Sequence, residues 1–167
     1  MCIRDRNLSR QGIMGALLDE YQNVIDDLKA HIANLTDAEL ATIVDTQTSN
    51  KDCVSIQSVL THIIWCSYNY VTMIDMHRND AAANWTKRVT YSTIADYNAA
   101  LDTAFEHNVR FFENINDSEM AQFAPENKLT TFWGQLYDYE QLMEHAIVHV
   151  SRHRRQIQKF IAILRAI

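Results

Sequence analysis

Apolar positions recur along this chain at intervals of three and four, interrupted by three polar stretches. Leu17, Leu18, Tyr21, Val24, Ile25, Leu28 and Ile32 form one stripe, which predicts an amphipathic helix over 8–34. Thr36-Asp37-Ala38-Glu39 has capping-box spacing and predicts a short helical turn. After a polar loop at 44–54, Ser55 is placed to cap a second helix to about Met76, with Ile56, Val59, Leu60, Ile63, Tyr70 and Met73 inward. A second loop covers 78–91, and Ser92 is placed to cap a third helix to about Ile115. Pro125 falls in a long third connection that ends near Tyr137. Asp138-Tyr139-Glu140-Gln141 repeats the capping-box spacing and opens a last helix over 138–166. No segment shows a convincing strand period, and no internal repeat is evident. The predicted fold is all-α, a four-helix bundle with long connecting loops. Connections of about ten residues or more exceed what a minimal bundle needs, so some are expected to cover a site.

Composition narrows the chemistry. The 167 residues include 3 Gly and 1 Pro, where average usage would supply roughly 20 of the two together. Gly12, Gly15 and Gly134 cannot assemble a P-loop or a G-x-G-x-x-G turn, so a site must be built from side chains on helices. Apolar content of 47% with 22% charged residues fits one globular domain, and no apolar run is long enough to span a membrane. The net charge of −6 argues against a nucleic-acid partner. Residues 151–167 nevertheless hold Arg152, Arg154, Arg155, Lys159 and Arg165 with no acid. Cations at a helix C-terminus complement its macrodipole, and an anion-binding rim is the sharper alternative. Cys2, Cys53 and Cys66 include no C-x-x-C pair, which points away from a disulfide framework and toward a cytoplasmic location. No signal-peptide pattern is visible.

Met1-Cys2-Ile3-Arg4-Asp5-Arg6 matches the translation of a transposon-end adaptor used in DNA library preparation. Residues 1–6 are therefore expected to be an artefact or a disordered start, and 7–167 a single domain.

Seven histidines carry the most information: His31, His62, His77, His107, His145, His149 and His153. The last three recur at steps of four, where neighbours are about 40° apart around a helix axis. Chance placement gives about 0.3 such pairs but only about 0.01 such series. The last helix's apolar stripe runs Leu142, Ala146, His149, His153, Ile157, Phe160 and Leu164, so two imidazoles interrupt the core face. A buried ring needs partners, and an i, i+4 pair can offer two nitrogens to one metal ion. His62, mid-helix on the side of Val59, Cys66 and Met73, is the best third candidate. Core histidines satisfied by carbonyls or carboxylates are the competing reading.

Other metal motifs fail. His145-Ala146-Ile147-Val148-His149 has alanine where H-E-x-x-H needs its glutamate, and no histidine has a glutamate three residues before it, as di-iron bundles require. Three histidines without a carboxylate ligand suit Zn²⁺ or Ni²⁺, with Fe and Mn admissible. His145, about 80° from His153, is expected beside the site or exposed rather than bound to the ion. Cys66 is read as a small core residue. Trp65, Trp85, Phe132, Trp133 and Tyr137 are expected mostly in the core, with Trp133 and Tyr137 candidates for lining a pocket.

The run His149-Val150-Ser151-Arg152-His153-Arg154-Arg155-Gln156-Ile157 resembles the last-helix signature of the DinB/YfiT-like superfamily, H-x-x-[HR]-H-R-G-Q-[IL]. Ser55-Ile56-Gln57-Ser58-Val59-Leu60-Thr61-His62 is similar to that superfamily's second-helix segment. The resemblance implies a bundle with a metal held by His62, His149 and His153. It also implies a metal-dependent enzyme of thiol S-transferase type, a low-molecular-weight thiol as co-substrate, and homodimerisation. A metal-dependent hydrolase and a non-catalytic, stress-related bundle with a structural metal are the alternatives. No general base is evident beside the three histidines. Arg155 stands where the pattern has glycine, so any packing contact inferred at that point does not carry over.

Overall fold

A computed structural model of the chain describes residues 10–166. The adaptor-like residues 1–6 lie outside the described residues. Helices α1 (Gly12–Ile32), α3 (Ile56–Asn79), α4 (Ile94–Phe112) and α5 (Tyr139–Arg165) are the long ones, and α2 (Asp37–Ala41) is the short turn after the first. Helices α1 and α3 each pack against both α4 and α5, which sets the order α1–α5–α3–α4 around the bundle. The architecture is the four-helix bundle with long connections that the apolar stripes predict.

The helix starts follow local chemistry. Ser55 Oγ accepts from Ser58 N at 3.0 Å, and Asp138 Oδ1 accepts from Gln141 N at 2.8 Å, so both caps stand where predicted. Helix α4 is capped one residue later than expected, because Thr93, rather than Ser92, sits three residues before Asp96 N and accepts from it. Its end also comes early: Asn114 N and Ile115 N bond to Phe111 and Phe112 carbonyls in tightened turns. Gly12, with φ of 79°, opens α1 beside Asp117, whose carboxylate accepts from Ile13 N and Met14 N at 2.9 and 3.1 Å. A carboxylate from a distant loop thus satisfies donors at the helix start, where negative charge is favoured.

The core is continuous. Leu28 and Ile32 of α1, Ile56, Val59, Leu60 and Ile74 of α3, Tyr97 of α4, and Leu142 and Ile157 of α5 are fully buried. At its centre, Ser67 Oγ accepts from Tyr21 OH and from Asn108 Nδ2, both at 3.0 Å, so one hydroxyl links three helices. A buried polar contact of this kind restricts which helix faces can meet.

One element escaped the sequence pattern. Strands β1 (Leu129–Thr130) and β2 (Leu136–Tyr137) pair antiparallel, Leu129 opposite Tyr137. Gly134 adopts φ of 83° in the connecting turn, a conformation that costs glycine little. Two residues per strand are too few to show alternation. The turn carries Phe132 and Trp133 to the start of α5, close to the histidine series.

Candidate metal centre

His62 lies in the second turn of α3, and His149 and His153 lie one turn apart on the facing side of α5. Their Nε2 atoms converge. His62 Nε2 and His149 Nε2 are 3.0 Å apart, His149 Nε2 and His153 Nε2 are 3.1 Å apart, and one ligand atom from each residue falls within a 4.8 Å cluster. Nitrogen ligands at 2.0–2.1 Å in a tetrahedral shell would be about 3.3 Å apart, so the observed spacing is close to that of a metal's ligand set.

An acceptor oxygen beside the Nδ1 of two rings determines which nitrogens are free. His153 Nδ1 is 2.9 Å from Gln156 Oε1, and His62 Nδ1 is 3.2 Å from Asp52 Oδ2. Both partner oxygens only accept, so both Nδ1 atoms carry the proton and both Nε2 atoms present lone pairs. A proton on His149 Nε2 could satisfy one of these lone pairs, not both. A cation shared by the three nitrogens satisfies all of them, and in this respect the residues fit a divalent ion.

Electrostatics acts in the same direction. Burial, then the neighbouring His153, pushes His62 down to about 4. His149 is pushed down to about 2 by burial, with His153 and His62 adding to the effect. Burial also lowers His153, against an opposing hydrogen bond to Gln156. Imidazoles disfavoured as cations are neutral near pH 7, the form that can ligate a metal.

A model of the DinB family matches residues 7–163. The chain belongs to the DinB family. No curated protein matches it.

In this DinB-family chain the other singled-out residues take distinct places. His145 stands apart from the cluster: its ring stacks on Trp133 at 4.6 Å and lies 6.1 Å from that of His149. Cys66 Sγ is 3.6 Å from His62 Nε2, yet burial pushes its thiol up to about 12, so it remains protonated at neutral pH. Arg154 pairs with Asp27 at 2.7 Å and Arg165 with Glu39 at 3.2 Å, which commits two cations of the basic helix end. Arg155 is exposed on the helix exterior, where its bulk meets no core.

The aromatic expectation needs correcting. Trp85, Phe132 and Trp133 are 41%, 51% and 40% exposed rather than core. The hairpin holds Phe132 and Trp133 over the bundle surface, where they meet Trp65 and His145 instead of the interior. Trp65 stacks on His62 at 6.4 Å and on Phe132 at 6.4 Å, while Tyr70 meets Trp133, His145 and His149 edge-on. An aromatic wall therefore runs from the histidines to the surface. Beyond Phe132 and Trp85, a cavity of about 300 Å³ is lined by Met73, Met76 and Leu129.

Two residues at the site received no role from the sequence. Gln156 belongs to the family signature and sits at i+3 from His153, so its signal was present. Asp52 lies in the polar stretch before α3, where nothing in the spacing marks it.

Proposed function

We propose that this protein is a metal-dependent enzyme of thiol S-transferase type, with a divalent ion, Zn²⁺ or Ni²⁺ by preference, held by His62, His149 and His153. The observation that carries the reading is the convergence of three imidazole Nε2 atoms from two helices. Three protein ligands leave a coordination position free, and His62 and His149 are only partly buried, which is the pattern of a catalytic rather than a closed structural site. Bound there, a divalent ion would deprotonate a low-molecular-weight thiol, whose ordinary pKa is about 8.5, and so supply a sulfur nucleophile at neutral pH.

The chain's own residues orient and shield. Gln156 and Asp52 fix two of the imidazoles, and Trp65, Tyr70 and Trp133 flank the approach with apolar surface that restricts water. Asp52, the carboxylate against the cluster, is engaged by His62 and by Arg88. It is therefore poorly placed to act as a general base toward a thiol or toward water, so in either chemistry the activation would come from the ion. Free Cys53 and Cys66 suit the reducing, cytoplasmic setting in which small thiols serve as co-substrates. No helix among the described residues is long and apolar enough to cross a membrane.

One observation supports a second reading. The cluster ties α3 to α5, so a bound ion could stabilise the bundle without chemistry. The test is to incubate the metal-loaded protein with small thiols and a panel of electrophiles and follow adducts by mass spectrometry. Adduct formation that stops on chelation supports the transferase. Absence of turnover across the panel, with unfolding on chelation, supports the structural metal.

A further inference from the structure

We propose that Asp52 and Arg88 are positioning residues for the histidine cluster: Asp52 holds His62 in the tautomer that presents Nε2 to His149, and Arg88 holds Asp52. The inference rests on the metal reading for its consequence but not for its geometry.

A neutral imidazole has one ring proton, and the group that accepts it decides which nitrogen is left bare. For His62 that acceptor is Asp52 Oδ2, 3.2 Å from Nδ1. Without it, the proton could move to Nε2, where it would point into the cluster and block ligation. Asp52 is itself fixed. It lies in a 3-10 turn (Lys51–Cys53) directly before α3, and its backbone N donates to Asn50 Oδ1 at 3.0 Å.

The second carboxylate oxygen of Asp52 accepts from Arg88 Nη1. An isolated pair this exposed, 25% for Asp52 and 41% for Arg88, would contribute little. Here the guanidinium also lies 4.3 Å from the ring centroid of Trp65, and Trp65 stacks on His62. The contacts close into a circuit: His62 to Asp52, Asp52 to Arg88, Arg88 to Trp65, Trp65 to His62. Planar stacking and a forked donor set are properties that lysine does not reproduce.

Arg88 reaches this position because its segment is pinned along α3. Trp65 Nε1 donates to Thr86 O at 2.8 Å, Thr86 N donates to Asn69 Oδ1 at 3.1 Å, and Gln57 Nε2 donates to Tyr91 O at 2.7 Å. Asp52 from before α3 and Arg88 from after it therefore meet beside the one ligand that α3 contributes. Partners that orient ligating histidines this way typically change metal affinity 10–100-fold when removed.

The test has two readouts. In ¹⁵N-labelled, chelator-treated protein, long-range ¹⁵N–¹H spectra of the histidine rings should show His62 protonated on Nδ1 and bare on Nε2. Asp52→Asn, which keeps the shape and loses the charge, should shift this tautomer balance, and Asp52→Ala should shift it further. In Zn²⁺ titrations against a competing chelator, Asp52→Ala should weaken binding about 10–100-fold. Asp52→Glu should recover part of the loss, and Arg88→Lys should lose affinity despite keeping its charge. Melting curves of the metal-free variants separate this from a folding defect; if Asp52→Ala fails to fold, Asp52→Asn and Asp52→Glu carry the comparison. His62 protonated on Nε2 in the wild type, or wild-type Zn²⁺ affinity and tautomer in the folded Asp52 variants, would overturn the proposal. A wild type with the expected tautomer and no affinity for Zn²⁺ would support the Asp52–His62–Arg88 geometry and remove the metal reading alone.

Discussion

His62 Nε2 and His149 Nε2 lie 3.0 Å apart although 87 positions separate the two residues. Only one of the two atoms can carry a proton toward the other, so the pair can share one proton or, together with His153, one cation. His153, one turn further along α5, completes the set at 3.1 Å from His149.

The ligand set predicts a sharp contrast within the histidine series. His149→Ala removes the central nitrogen and should lower Zn²⁺ affinity by well over the 10–100-fold typical of an orienting partner. His145→Ala, by contrast, should retain a stoichiometric ion, because His145 stacks on Trp133 outside the cluster. Metal content of the two purified variants checks both. Equal loss in both would contradict a three-ligand site.

Stability of the metal-free protein should depend on pH through the same rings. Folding depresses His62 to about 4 and His149 to about 2, from an ordinary value near 6.5. The folded state thus binds fewer protons than the unfolded one below pH 6.5. Their neutral forms contribute fully above that value, and the contribution is lost as pH falls from 6.5 toward 4 and beyond. Urea midpoints of chelator-treated protein should be flat from pH 8 to 6.5 and fall on further acidification. His149→Gln should flatten the acidic fall, and an unchanged slope would contradict this assignment.

The cap of α5 offers a control remote from the metal. Asp138 accepts from Gln141 N at 2.8 Å through Oδ1 and from Gln122 N at 3.1 Å through Oδ2. Asp138→Ala should cost about 1–2 kcal/mol, read from urea denaturation, because it removes the cap and leaves donors unsatisfied. Metal stoichiometry should not change, since His149 begins almost three turns later. Loss of the ion together with the cap would mean that the site depends on the whole helix start.

The aromatic wall should matter to reaction more than to folding. Trp133 is 40% exposed and packs on His145, so Trp133→Ala should cost only about 1 kcal/mol in stability. The metal should stay, while adduct formation with aromatic or apolar electrophiles should slow more than with small polar ones. An unchanged preference across electrophiles would detach the wall from substrate binding.

Much of this site was legible because two of its three histidines follow a helical period. His149 and His153 share one face at i, i+4, and Ser55 and Asp138 mark the starts of the helices that bring His62 opposite them. The three-histidine cluster follows from placing two such helices side by side. Asp52 was not legible, because it acts from a loop where no period relates it to His62. The hairpin is not legible because strands of two residues carry no alternation, and the exposure of Phe132 and Trp133 is hidden with it. Their environment is set by the turn around Gly134, which residue type alone does not reveal.

The most direct test of the central claim is the metal content of untagged, purified wild-type protein, measured by mass spectrometry and repeated after Zn²⁺ or Ni²⁺ loading. About one tightly held ion per chain, lost in His62→Ala, His149→Ala and His153→Ala alike, is the predicted result. A wild-type chain that retains no ion and takes up none on loading would contradict the account.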